Sequence, residues 1–435
     1  MQLSAETYYP LKFRQEDSIK LANAIARMHS LEIIGMKRVG ISNFLRYFIH
    51  HPKLITNLKL DPRVVFIEVD LNDLIERELF PFWRLLLKRI IDKSNELPIS
   101  SELKDKLNHI FIKAIQFNDL LFTIDSVKET IKSIITAGYK PVIFLIRFDR
   151  LIDTLNSEFL ANLQSIVELT AENLMFVITS ARSLIERVPA VFKNNDFTIF
   201  SHPIYLKPAL TDDSIIILQS FAKRYQINLT VDLQKVIIEL AGGHVHYLQL
   251  SLIVIKEAII ENPLIAEFEL ITKIKTDERI NLQSEELLTD LSSTEIELLK
   301  QILSGKKVKE IELMANRHIL NTGIVVNNDA GELTIFSKIL TEFIKKEKPR
   351  RHNSSNIQNI LTKKENSLYN LLVQKQNQTC EREDIISVVW PEVKDLGVSD
   401  WAIDRLVFRL RAKLKQTGEY RVKTIRTRGF CLVSR

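Results

Sequence analysis

The sequence predicts a multidomain α/β + α chain: a parallel-sheet domain, a helical subdomain, and two small units of helices with a β-ribbon. Three observations carry this. Short apolar runs alternate with helical patterns over residues 1–205, as in a parallel sheet whose strands are buried on both faces. Helix-spaced apolar residues then dominate residues 206–282. Two later stretches, 283–346 and 361–435, each read as helices followed by short strands around a turn, the plan of a winged helix.

A chain of 435 residues exceeds one ordinary core, and 46% apolar with 26% charged residues is the composition of a folded globular protein. No apolar run reaches the roughly 18–20 residues of a membrane helix, and MQLSAETYYPLKFRQE lacks the apolar core of a secretory signal. A cytoplasmic location is the expectation. Cys380 and Cys431 are too few for a disulfide framework and fit no zinc module.

In chain order, a helix from Glu16 to Met28 precedes the strand Leu-Glu-Ile-Ile and the loop Gly35-Met-Lys-Arg-Val-Gly40-Ile41-Ser42, which opens a second helix. Strand, glycine loop and helix N-terminus form the context of a phosphate-binding loop, so Gly35, Gly40 and Ser42 are the candidate nucleotide-binding residues. Its lysine position holds Ile41. Further buried strands are expected within Arg63–Asp70, Pro141–Arg150 and Leu174–Arg182, with helical sequence between them. Helices at 212–225, 232–240 and 244–260, broken at Gly242-Gly243, form the helical lid. His244 and His246 are two residues apart, which does not place both on one helix face, and structural roles are expected for them. Residues 347–360 are polar and basic and carry a proline, marking a linker.

The net charge of +6 is unevenly spread. Residues 348–435 hold 18 Lys+Arg against 9 Asp+Glu, a balance of +9, which leaves −3 on residues 1–347. That asymmetry is a footprint of nucleic-acid contact. Within it, Ile403, Val407, Leu410 and Leu414 form an apolar helical seam, while Trp401, Arg405, Arg409 and Ala412 fall on another face. Arg405 and Arg409 are like charges four apart, which costs a helix a few tenths of a kcal/mol (roughly 0.2–0.5) and suits an anionic partner.

From Leu361 onward the residues resemble the OmpR/PhoB-type winged-helix effector domain. The matching pieces are Glu365 and Leu368 in the first helix, Val389-Trp390 closing the second, Asp400 through Leu414, and the hairpin Thr424-Ile-Arg426-Thr427-Arg428-Gly429-Phe430. The resemblance covers about 75 residues and implies duplex-DNA binding, with the Trp401–Leu414 helix in the major groove and the hairpin in the minor groove. It implies Arg409 as a base reader, since a guanidinium fork matches guanine's two acceptors. Arg405, Arg411 and Lys413 would be phosphate contacts, with Trp401, Thr424, Arg426 and Arg428 completing the surface. Thr427 stands where the family has glycine. Trp390 is expected to pack in the core. An α/β receiver with a phosphoacceptor aspartate is not expected, because the α/β domain here starts with a glycine loop.

The first 280 or so residues resemble AAA+/STAND P-loop ATPases through the glycine loop, IFLIRFDRL, LMFVITSAR and the lid sequence AGGHVHYLQL. Aligned on Phe148-Asp149-Arg150-Leu151, the family's metal-binding and water-activating carboxylates become Ile146 and Arg147. The resemblance therefore implies a P-loop NTPase-like domain that has lost hydrolysis. No catalytic residue, metal site or cofactor is expected, with residual ATP or ADP binding left open. The expected function is a sequence-specific DNA-binding transcriptional regulator with a pseudo-ATPase sensor or scaffold. An active ATP-dependent switch and a protein-interaction scaffold are the alternatives. Double-stranded DNA is the expected partner, and a protein partner or a homodimer stays open.

Overall fold

The computed structural model describes residues 5–170, 173–192, 203–328, 330–346, 361–391, 400–417, 420–425 and 428–434. The chain divides into two units, residues 1–346 and 347–435. The linker expected at 347–360 lies outside the described residues.

The large unit is built on five parallel strands: β1 (Leu31–Ile34), β2 (Val64–Asp70), β3 (Lys140–Ile146), β4 (Met175–Ser180) and β5 (Ile204–Tyr205). Their order across the sheet is β2-β3-β4-β1-β5, the topology of a P-loop NTPase. Alternate residues feed two cores, as the period of a strand requires. Phe66, Val142, Phe144, Met175 and Val177 face one. Val65, Ile67, Ile143, Leu145, Phe176 and Ile178 face the other. The helices Leu79–Glu96, Leu120–Thr136 and Ser157–Leu169 cover the second core.

The first core is covered by the Gln15–Ala26 and Ile41–His50 helices and continues into the lid. The lid comprises the helices Thr211–Tyr225, Val231–Ala241, Val245–Glu261, Glu267–Thr276 and Glu278–Thr289. Helix Ser293–Leu303, two short helices at Glu310–Ala315 and Arg317–Asn321, the antiparallel ribbon β6 (Val325–Asn327) and β7 (Leu333–Ile335), and helix Lys338–Lys346 complete the unit. Leu298, Leu299, Ile319, Ile335 and Leu340 join the same core, so these elements are packed onto the lid.

Among its described residues the C-terminal unit is a winged fold with three helices. Thr362 caps helix Lys363–Gln374 in a reciprocal capping box with Glu365. Strand β8 (Cys380–Glu381), helix Arg382–Val389 and helix Asp400–Thr417 follow, then β9 (Tyr420–Ile425) and β10 (Gly429–Ser434). The sheet order is β8-β10-β9, all antiparallel. The apolar seam Ile403, Val407, Leu410 and Leu414 is at most 1% exposed, as helical spacing predicts. Trp390 packs against this core. Gly429 has a φ of 155°, and a Cβ there would meet the Cys380 carbonyl at 2.0 Å, so the wing's turn into β10 admits no side chain. Cys380 and Cys431 are both buried free thiols.

Candidate functional site

The glycine loop leaves β1 at the carboxyl end of the sheet, where ligands of open α/β sheets bind. The Gly35 N–H donates to the Ser180 carbonyl of β4 at 3.2 Å. Gly40 adopts a φ of 118° and opens the Ile41–His50 helix. A Cβ on Gly40 would come within 2.5 Å of Val245, so the lid helix lies directly against the loop. The loop's charges also go to the lid. Lys37 pairs with Asp290 at 2.8 Å, and Arg38 approaches Glu286 at 3.4 Å and His246 at 3.2 Å. Two carboxylates of the protein thus stand against the basic residues of the loop.

His244 fixes the same contact from beneath. Its Nε2–H donates to the Lys37 carbonyl at 2.9 Å, while Nδ1 accepts the Tyr247 N–H at 3.3 Å. Both ring nitrogens are committed, and complete burial pushes the imidazole down to about 3, so it is neutral. A depressed histidine contributes stability above its unfolded value of about 6.5 that is lost as the pH falls toward 3. Comparing wild type with His244→Gln by denaturant unfolding at several pH values isolates this group. Wild type should lose up to about 1.4 kcal/mol per pH unit more than the variant across that window. Parallel pH profiles would contradict the neutral, doubly bonded assignment.

The carboxyl ends of β2 and β3 carry the second half of the site. Arg147 follows β3 with a left-handed φ of 60°. Its guanidinium is paired with Asp70 and its Nη2 lies 3.4 Å from Ser42 Oγ. In an active P-loop enzyme the corresponding hydroxyl faces Mg²⁺. Here it faces a fixed cation that has donors and no acceptor. Ile146 is 7% exposed and contributes no ligand. Asp149 turns away, accepting the Ala181 N–H at 3.0 Å, and burial raises its carboxyl above the usual range. Arg150 donates to Asn72. No group of three His, Cys, Asp or Glu among the described residues could hold a metal.

In the C-terminal unit the predicted basic residues divide. Glu365 is fully buried and receives the Thr362 N–H at 2.7 Å and Lys413 Nζ at 2.5 Å. Arg409 Nε lies 3.7 Å from its other oxygen. Burial pushes the Glu365 carboxyl up, but hydrogen bonds from Lys413 and Thr362 outweigh it and hold it below the usual range. Arg411 donates to the Val422 carbonyl at 2.9 Å and to Thr424 Oγ1 at 2.7 Å, and its guanidinium lies 5.8 Å from the Phe430 ring centre. Arg409, Arg411 and Lys413 are therefore engaged with the first helix and the wing. Arg428 is 67% exposed at the end of the hairpin, and Thr424 is exposed on β9. Arg426 lies outside the described residues, and Trp401 and Arg405 are placed only by their backbone on the helix.

Two further basic residues of the wing lie outside the family motif. Arg421 and Lys423 flank buried Val422 on β9 and are exposed, so alternation puts them on the outer face of the wing. The pattern Arg-Val-Lys is legible once the strand is assigned. Phe408 is also outward, 53% exposed on the Asp400–Thr417 helix. Among the described residues no helix is long and apolar enough to cross a membrane.

Residues 357–432 match the family model described as transcriptional regulatory protein, C terminal. No curated protein matches the chain. Among solved structures, the chain is similar to the Walker-type ATPase PABY2304 of Pyrococcus abyssi at 15% identity and a TM-score of 0.47, over 76% of this chain and 95% of that one. The ORC2 protein of Aeropyrum pernix aligns at 13% identity and a TM-score of 0.47, over 78% and 96%. Cdc6p from Pyrobaculum aerophilum aligns at 15% identity and a TM-score of 0.39, over 78% and 96%. Residues 357–432 are thus similar to a transcriptional-regulator C-terminal family, and the large unit has the strand order of a P-loop NTPase.

Proposed function

We propose that this protein is a sequence-specific duplex-DNA-binding transcriptional regulator whose ATPase-like module serves as a sensor or scaffold without hydrolysing ATP. The observation that carries the DNA reading is the family match over 357–432, coinciding with the +9 balance of residues 348–435. The outward Arg421, Lys423 and Arg428 give that charge a surface on the wing. Phosphate contacts of this kind set affinity and register, and each one released from counterions steepens the salt dependence.

The absence of hydrolysis is supported by Arg147. Mg²⁺ at Ser42 would meet a guanidinium already paired with Asp70, and neither Ile41 nor Ile146 supplies the charge the reaction needs. The residues present do not fit Mg²⁺-ATP, and no resident cofactor is assigned.

The test is a titration of the full chain against duplex DNA at several salt concentrations. Binding should weaken steeply with salt, and Arg421→Ala and Lys423→Ala should each reduce the slope by about 1 while weakening binding evenly across sequences. Salt-independent affinity, or slopes that neither substitution moves, would remove the DNA assignment.

A further inference from the structure

The Asp400–Thr417 helix turns an aromatic ring to solvent on the same side as position 405, an arginine. Its buried seam is Ile403, Leu406, Val407, Leu410 and Leu414. At 100° per residue the opposite side is centred on positions 401, 405, 408 and 412. Of these, Phe408 is the one whose side chain is described, and it is 53% exposed. Asp404, one turn earlier, is exposed but paired with Arg382 at 2.8 Å, so it does not set a negative field alone. Arg409 and Lys413, on the flank, are drawn toward Glu365 in the first helix. The described centre of the outward face is an aromatic ring.

Against a polyanionic duplex, an aromatic ring exposed on this helix would meet few apolar groups. The major groove of duplex DNA offers one apolar group, the 5-methyl of thymine. Resting on the DNA-binding reading above, we propose that Phe408 is a specificity-determining residue that reads thymine methyl groups in the major groove, making A·T pairs the preferred bases under the middle of this helix. A protein partner would also fit an exposed phenyl ring, but the surroundings favour DNA. Arg421, Lys423 and Arg428 supply exposed positive charge in the same module, and the one described acid on the outward side of the helix is neutralised by Arg382. Phosphate contacts by the wing would give affinity without sequence information. Phe408 would supply part of the sequence information, through shape and apolar contact alone.

The experiment uses the full chain and a duplex selected by it from a random library. Each thymine of the selected site is replaced in turn by uracil, which deletes the methyl and keeps every hydrogen-bonding group. Wild type should lose about fourfold in affinity at one or two adjacent positions, the loss expected for one buried methyl. Phe408→Ala should bind the parent duplex correspondingly more weakly, respond to none of the uracil substitutions, and keep the wild-type salt slope. Phe408→Leu, which keeps an apolar side chain, should retain part of the methyl sensitivity. Because Phe408 is outside the core, the thermal unfolding of all three proteins should coincide, which separates lost contact from lost fold. Wild type indifferent to every methyl deletion, or Phe408→Ala as sensitive as wild type, overturns the assignment while DNA binding itself stands. A chain that binds no duplex at all overturns both this inference and the DNA reading.

Discussion

Glu365→Ala is expected to lower the stability of the C-terminal unit by about 3 kcal/mol, a large fraction of what a module of this size holds. The carboxylate is completely buried, closes the capping box on Thr362 and neutralises Lys413, itself 12% exposed. Removing it leaves a poorly solvated ammonium beside Arg409 and frees the backbone N–H of the cap residue Thr362, two losses that act in the same direction. Glu365→Gln, which keeps an acceptor for Thr362 but removes the charge, should fall between wild type and alanine. Chemical unfolding of the full chain, followed by amide exchange in helix Lys363–Gln374, measures the difference. The folded carboxyl is held below the ordinary glutamate value of about 4.5. This contribution is therefore present above that pH and lost as the pH falls below it. An alanine variant as stable as wild type would show that Lys413 and Arg409 turn outward in solution, and would return them to the DNA-facing set.

Glu295→Ala should destabilise the large unit by a similar amount, about 3 kcal/mol, without moving the C-terminal transition. The two glutamates occupy equivalent places: Glu295 is the third residue of a helix capped by Ser292, as Glu365 is of one capped by Thr362. Its carboxylate, 3% exposed, receives Arg182 at 2.6 Å, and Arg182 also reaches the Asp290 carbonyl at 3.1 Å. Because Arg182 follows β4 and Glu295 opens the unit after the lid, this pair joins the sheet to the last elements of the large unit. Asp290, one turn before, already holds Lys37 of the glycine loop and lies 3.4 Å from Arg187. Loss of Glu295 should therefore also raise protease sensitivity between residues 289 and 346. If calorimetry shows both units shifting together, the two are energetically coupled and the assignment of separate roles to these glutamates fails.

Much of the fold was legible because it rests on short-range periodicity. The strand Leu31–Ile34, helix Ser293–Leu303, the Thr362 cap and the buried seam of the last helix all follow from runs, caps and spacing within a dozen residues. The two-residue strands β5 and β8 were not legible, because pairing with a neighbouring strand defines them and no local pattern does. The candidate site divides in the same way. That Ile41, Ile146 and Arg147 break the ATPase motif is written in the sequence. That Arg147 then bridges Asp70, 77 residues away, and reaches toward Ser42 is a tertiary fact. The basic residues of the last helix show the limit most clearly. Spacing fixes which face a Cβ leaves from, but a long side chain bends toward the nearest buried carboxylate. Glu365, 48 residues before Lys413 in sequence, decided where Lys413 went. Arg421 and Lys423 are the reverse case, readable from alternation with Val422 although they lie outside the family motif.

On the proposed function, DNA binding through the last 75 residues needs no nucleotide chemistry from the rest. The direct measurement is the affinity of the full chain for a selected duplex, in EDTA without nucleotide and again with saturating Mg²⁺-ATP, with phosphate release followed in the same samples. The expected result is tight, salt-sensitive binding that is equal within about twofold in the two conditions, where a nucleotide switch would shift it by roughly 1–3 kcal/mol, and no phosphate release above buffer. Binding that appears only with Mg²⁺-ATP, accompanied by turnover that Ser42→Ala abolishes, would contradict it.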